Sequence, residues 1–180
     1  MTDYAKQILV DAFGRVRGLV IDLTDGLTDE LATYRPDPGA NSMAWLIWHL
    51  SRIQDDHVAD LAHVEQAWAR WRDRFGLPFS NWATGYGQGP QDVAAVQPSG
   101  DLLADYHQAV HELTMSYLDE ITSEELDRIV DTRWNPPVTA SVRLVSVIGD
   151  TLQHLGQAAY VRGLASRRDR PWHEPSSADR

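Results

Sequence analysis

The stretch Val138–Leu164, VTASVRLVSVIGDTLQHLGQAAYVRGL, constrains this chain more than any other. It reads as one long helix, apolar almost all the way round. It holds a single acid, Asp150, four residues before a single histidine, His154. Four residues is about one helical turn, so both side chains fall on one face. A carboxylate and an imidazole on a buried helix are costly unless they pair, hydrogen-bond or hold a metal. Spacing alone leaves two readings open: a buried pair that fixes helix packing, or two metal ligands.

The remaining helices give that one its partners. Residues from about Thr2 to Asp25 follow a three-to-four spacing in Ile8, Ala12, Arg15, Leu19 and Leu23, helped by Val16 and Val20, with Gly26 placed to end the run. After the turn-rich YRPDPGANS, Asn41 or Ser42 can cap a second helix running to about Arg72. Its stripe is Leu46, Leu50, Ile53, Leu61, Val64, Trp68 and Trp71, with His57 inside it and His49 on its edge. From Arg74 to Gln97 the glycines and prolines predict a long irregular connection. Phe75, Phe79, Trp82 and Tyr86 argue that it packs down as a lid. Ser99 can cap a third long helix to about Ile121, with Leu103, Tyr106, Val110, Leu113 and Tyr117 facing the core, and Ser123 can cap a short turn after it. No strand is expected. The fold class predicted is all-α: a four-helix bundle with one long connection between helices 2 and 3. Residues 1–166 form that bundle and 167–180 a polar tail. The basic cluster Arg162, Arg167, Arg168 and Arg170 reads as solvated.

Composition removes whole classes of chemistry. The 180 residues include no cysteine, so disulfides, thiolate metal sites and a cysteine nucleophile are out, and any reacting thiol must come from outside. A formal net charge of −10 repels phosphate backbones, so no nucleic-acid partner is expected. No apolar run has the length of a membrane span, and the N-terminus lacks signal-peptide features, so a cytoplasmic location is expected. There is no nucleophile elbow, phosphate loop or dinucleotide fingerprint.

A metal inside a bundle takes ligands from facing helices. With Asp150 and His154, a third ligand could be His49, His57, His107, His111 or His63. His49 and His57 lie about 12 Å apart along one helix and cannot share an ion. Periodicity alone does not choose between them. His107 and His111 form a second i,i+4 pair beside the core stripe, read as solvated.

The segments MAWLIWHLSRIQDDH and PPVTASVRLVSVIGDTLQHLGQAAYVRGL resemble the DinB-like superfamily of four-helix metal proteins. Within it they are similar to the branch of mycothiol-dependent maleylpyruvate isomerase and the mycothiol and bacillithiol S-transferases. The resemblance implies a metal held by His49, Asp150 and His154, with aspartate where a longer acid could stand. It implies a mycothiol-like thiol as co-substrate; for a thiol-activating role zinc is the expected ion, with iron, nickel or manganese as alternatives because nitrogen and oxygen ligands do not choose firmly. The implied activity is metal-dependent transfer of that thiol to an electrophilic small molecule, as in detoxification. The other readings are a non-catalytic metal-binding stress module, a metal-dependent hydrolase and, less favoured, an isomerase. Relatives often dimerise, so a homodimer is expected by analogy. His57 then becomes a core histidine or a pocket polar group. Trp45, Trp48, Trp82 and Trp134 are candidates for the substrate wall, and Arg143 for orienting Asp150 or a ligand carboxylate, or for a salt bridge at the helix start.

Overall fold

The computed structural model describes residues 2–168. Four long helices form the expected bundle: α1 (Thr2–Thr24), α3 (Met43–Ala62), α6 (Gly100–Asp119) and α8 (Ala140–Ala165). Between them lie the short α2 (Asp29–Thr33), α4 (Trp68–Phe75), α5 (Pro90–Ala95) and α7 (Ser123–Asp127). α3 packs on α6 and α8, and α1 packs on the same two, so α3 and α1 stand at opposite corners. Their starts follow from sequence. Ser42 accepts from the Trp45 amide, Ser99 from Leu102 and Thr139 from Val142. Each satisfies an amide that a helix N-terminus otherwise leaves unpaired. The cap of α7 is Thr122, one residue before the expected Ser123.

The second helix departs most from expectation. The periodicity predicts one run to Arg72, but α3 stops at Ala62, where His63 takes a left-handed conformation at φ 54°. The cause lies on α3 itself. The Asp55 carboxylate accepts from the backbone amides of Ala67 and Trp68, both at 2.8 Å, and so caps α4 from the side. The chain must double back to reach it. Leu46, Leu50, Leu61 and Trp68 of the expected stripe are buried, whereas Val64, past the break, is exposed.

Two further corrections concern faces. The buried stripe of α1 is Leu9, Phe13, Val16, Val20 and Leu23, so the expected Ile8 and Leu19 point to solvent. The helix carries apolar residues on two faces, and the wheel could not say which one packs. α8 likewise exposes Val142, Val145, Leu152 and Tyr160. It is apolar nearly all round in sequence but buried on one side only.

A small antiparallel pair was not expected: β1 (Ile129–Asp131) and β2 (Val138–Thr139), with Ile129 opposite Thr139 and Asp131 opposite Val138. It pins the proline-bearing link 132–137 beside the start of α8. Arg167 and Arg168 are exposed as expected, though Arg168 bonds Glu30, and the rest of the tail, with Arg170, lies outside the described residues.

Candidate metal centre and its cleft

His49 projects from α3 toward Asp150 and His154 on α8. One ligand atom from each lies within 4.8 Å of the others, the group of acids and histidines among the described residues that could hold an ion. The hydrogen bonds around the imidazoles decide which nitrogens are free. His49 Nδ1 donates to the Thr84 carbonyl at 2.5 Å. His154 Nδ1 donates to Gln157 Oε1 at 2.9 Å. Each ring therefore keeps its proton on Nδ1 and offers the lone pair of Nε2, an arrangement that metal-binding histidines adopt. His154 Nε2 stands 3.6 Å from Asp150 Oδ1. The other oxygen, Asp150 Oδ2, is buried with no protein partner. A buried carboxylate oxygen without a donor is costly unless a cation answers it. The residues thus fit a divalent ion: two imidazoles and one carboxylate, with positions left open for exogenous ligands.

The electrostatics favour ligation by Asp150 and His49, whereas His154 must give up a proton from Nε2 to bind an ion. The His154 imidazole beside it holds Asp150 below the usual carboxylate range, so a charged acceptor is kept. Asp150 raises His154 in turn. Burial, and then the charge of His154, lower His49, so its Nε2 stays unprotonated near neutral pH. Trp45 stacks on His49 with ring centres 4.6 Å apart and planes at 17°. It shields one face of the site.

Beside the cluster lies a cleft formed by two adjoining cavities of about 620 and 670 Å³, which share Asp56, His57 and Arg133. Ile53, one turn from His49, and Thr84 line one of them. His57 is therefore a cleft residue rather than a core one. Its Nδ1 accepts from Arg143 Nη1 at 3.0 Å, so its proton sits on Nε2. Arg143 also reaches Asp131 Oδ2 at 3.5 Å. Asp131 is gripped by Arg133 through its backbone amide, Nε and Nη2, which together hold its pKa down at about 2. Arg143 thus orients His57 and pairs at the helix start; no contact joins it to Asp150. Trp82 is 78% exposed, Trp134 67% and Tyr86 92%, and all three stand around the cleft. The lid is only half packed: Phe75 and Phe79 join the core, while Trp82 and Tyr86 stay outside it. Trp48 is fully buried against Trp68 and Phe79 and is no substrate wall.

The second histidine pair is not a solvated one. His107 is fully buried, with Nδ1 3.0 Å from Ser51 Oγ and Nε2 unpartnered. His63 caps the end of α3 and belongs to neither site. The residues missed in the sequence are Thr84, Asp131 and Arg133. Thr84 acts through its backbone, which no side-chain pattern reveals, and the other two depend on the unforeseen strand pair.

The fold and site define a four-helix protein of the DinB-like superfamily. The Mycothiol-S-transferase family model matches residues 8–166, and the chain belongs to that family. A conserved protein from Enterococcus faecalis of known crystal structure is similar at 34% identity, over 89% of this chain and 96% of that one, with a TM-score of 0.82. Among curated proteins no match is found. No helix among the described residues is long and apolar enough to cross a membrane.

Proposed function

We propose that the protein transfers a mycothiol-like low-molecular-weight thiol to an electrophilic small molecule, using a divalent ion held by His49, Asp150 and His154, with zinc the best match to this donor set. The observation that carries the reading is the convergence of two Nε2 lone pairs and an unanswered carboxylate oxygen beside a cleft large enough for two small reactants. The family supports the thiol. The absence of cysteine means that no protein thiolate competes for the ion. When bound, such an ion stabilises a thiolate at neutral pH.

The chain's own residues do the remaining work. The sulfur forms a bond to an electrophilic carbon, the electron pair leaves with the departing group, and the thiol proton ends on that group or in solvent. Negative charge builds on the electrophile away from sulfur. His57, fixed by Arg143 with Nε2 protonated, offers a hydrogen bond to that charge. Trp82 and Trp134 supply apolar faces at the rim for the bodies of the reactants. Trp45 keeps water from one side of His49.

The test incubates the purified protein with mycothiol and a fluorogenic haloalkyl electrophile. Conjugate should form above the uncatalysed rate, fall to background after chelation and return with added zinc. A rate unchanged by chelation contradicts the proposal.

A further inference from the structure

We propose that the segment Ala83–Gly85 is a fixed clamp that presets His49 for the ion, with Gly85 as its positioning residue and the buried Arg52 as its anchor. The proposal rests on the metal reading of the cluster.

His49 is nearly buried, and its Nδ1 proton goes to a main-chain oxygen, that of Thr84. A carbonyl only accepts, so that oxygen alone dictates the tautomer and the direction of Nε2. The carbonyl sits in a connection with glycines at 76, 85, 87 and 89 and with no regular element between Phe75 and Pro90. Such a chain wanders unless it is tied down.

Arg52 ties it. Its Nε donates to the Ala83 carbonyl at 3.1 Å, the peptide next to the one that holds His49. Three of the other four N–H groups of the guanidinium are engaged away from water. Nη1 reaches Asp55 Oδ2 at 3.3 Å and Tyr106 Oη at 3.2 Å, Nη2 reaches Gln66 Oε1 at 2.9 Å, and the Trp68 ring lies 5.0 Å from Cζ. Arg52 and Asp55 are both wholly buried. A buried arginine is retained only where its donors are satisfied. Here they join α3, α4, α6 and the connection around one charge.

Gly85 makes the approach possible. Its φ is +100°, and a Cβ placed there would stand 2.5 Å from His49 Nδ1 and 3.1 Å from Trp45 Cζ2. The segment lies closer to the imidazole than any side chain permits. Three residues on, Gln88 Oε1 accepts from Trp45 Nε1 at 2.7 Å. One connection therefore fixes both stacked rings. The geometry that an ion needs from His49 exists before the ion arrives.

Gly87 provides the control. It also has positive φ, +75°, but nothing lies within 4 Å of its would-be Cβ. Gly85→Ala and Gly87→Ala thus share the backbone strain, and only the first pushes on His49. Zinc affinity of the full chain is read by competition with a chromophoric chelator, beside melting curves of the zinc-free proteins. Gly85→Ala should bind zinc ten- to a hundredfold more weakly, the usual effect of disturbing a ligand's support. Gly87→Ala should match wild type. Equal affinity in the two variants overturns the clamp. ¹⁵N NMR of the imidazoles in zinc-free wild type tests it without mutation. His49 should be the single Nδ1–H tautomer, and a mixture, or Nε2–H, overturns the clamp. Wild type and His154→Ala measured alongside separate the two ideas. Equal zinc binding by those two would defeat the metal reading itself, whereas a loss in His154→Ala with Gly85→Ala unchanged defeats only the clamp.

Discussion

His107 should make the stability of this protein fall steeply in mild acid. The ring is fully buried on α6. Ser51 Oγ donates its own hydrogen to the Ile47 carbonyl at 2.8 Å, so it can only accept from His107 Nδ1–H. His107 Nε2 is left neutral and without a partner. Burial, reinforced by His111 and Arg17, pushes its pKa down to about 3. In the unfolded chain the same ring titrates near its ordinary value of about 6.5. Above that value neither state is protonated and the residue adds no pH dependence. As pH falls from there toward 3 the unfolded state gains a proton that the folded state refuses, and stability is lost. Linkage between those two values puts the loss from pH 7 to pH 5 at about 2 kcal/mol for this one side chain. The assay is urea unfolding with chelator present, at both pH values, for wild type and His107→Asn. Asparagine keeps a donor near the Nδ1 position and removes the base. The variant should start less stable, because it leaves a small cavity, but should lose about 2 kcal/mol less between the two pH values. Equal losses in the two proteins would refute the reasoning.

Three other substitutions probe the supports of the site. Asp55→Asn leaves the charge of Arg52 buried and unanswered, and should cost about 3–5 kcal/mol in urea unfolding. Ser42→Ala removes the cap of the helix that carries His49 and should cost about 1 kcal/mol, a fall of a few degrees in Tm by calorimetry. Trp82→Ala changes an exposed rim residue. Its stability should stay within about 0.5 kcal/mol of wild type, while KM for the reactants rises in the steady-state assay.

Legibility in the sequence followed the kind of force involved. The four long helices and two of their N-caps, Ser42 and Ser99, could be read directly, because period and capping chemistry are local. What failed was choosing between apolar faces. Ile8 and Leu19 match the helical spacing as well as Leu9 and Phe13 do, and only packing against α6 and α8 selects the second set. The break after Ala62 escaped because its cause, Asp55 capping α4, is a tertiary hydrogen bond that looks in sequence like an ordinary polar residue. In the site, Asp150 and His154 stood out by their spacing. His49 was separated from His57 by resemblance alone, and the structure now gives the two distinct partners. His49 meets Thr84 and the cluster, whereas His57 meets Arg143 and the cleft. The burial of His107 was missed because the residue sits next to the core stripe, where a modest rotation of the helix decides between water and interior.

The central claim is that His49, Asp150 and His154 bring an ion and the sulfur of a small thiol together. X-ray absorption at the zinc edge of the loaded protein, before and after addition of mycothiol, tests it most directly. The account predicts nitrogen and oxygen neighbours alone at first, at about 2.0–2.2 Å, and one sulfur at about 2.3 Å once the thiol is present, with His154→Ala losing the zinc. A first shell that stays free of sulfur at saturating thiol would contradict it.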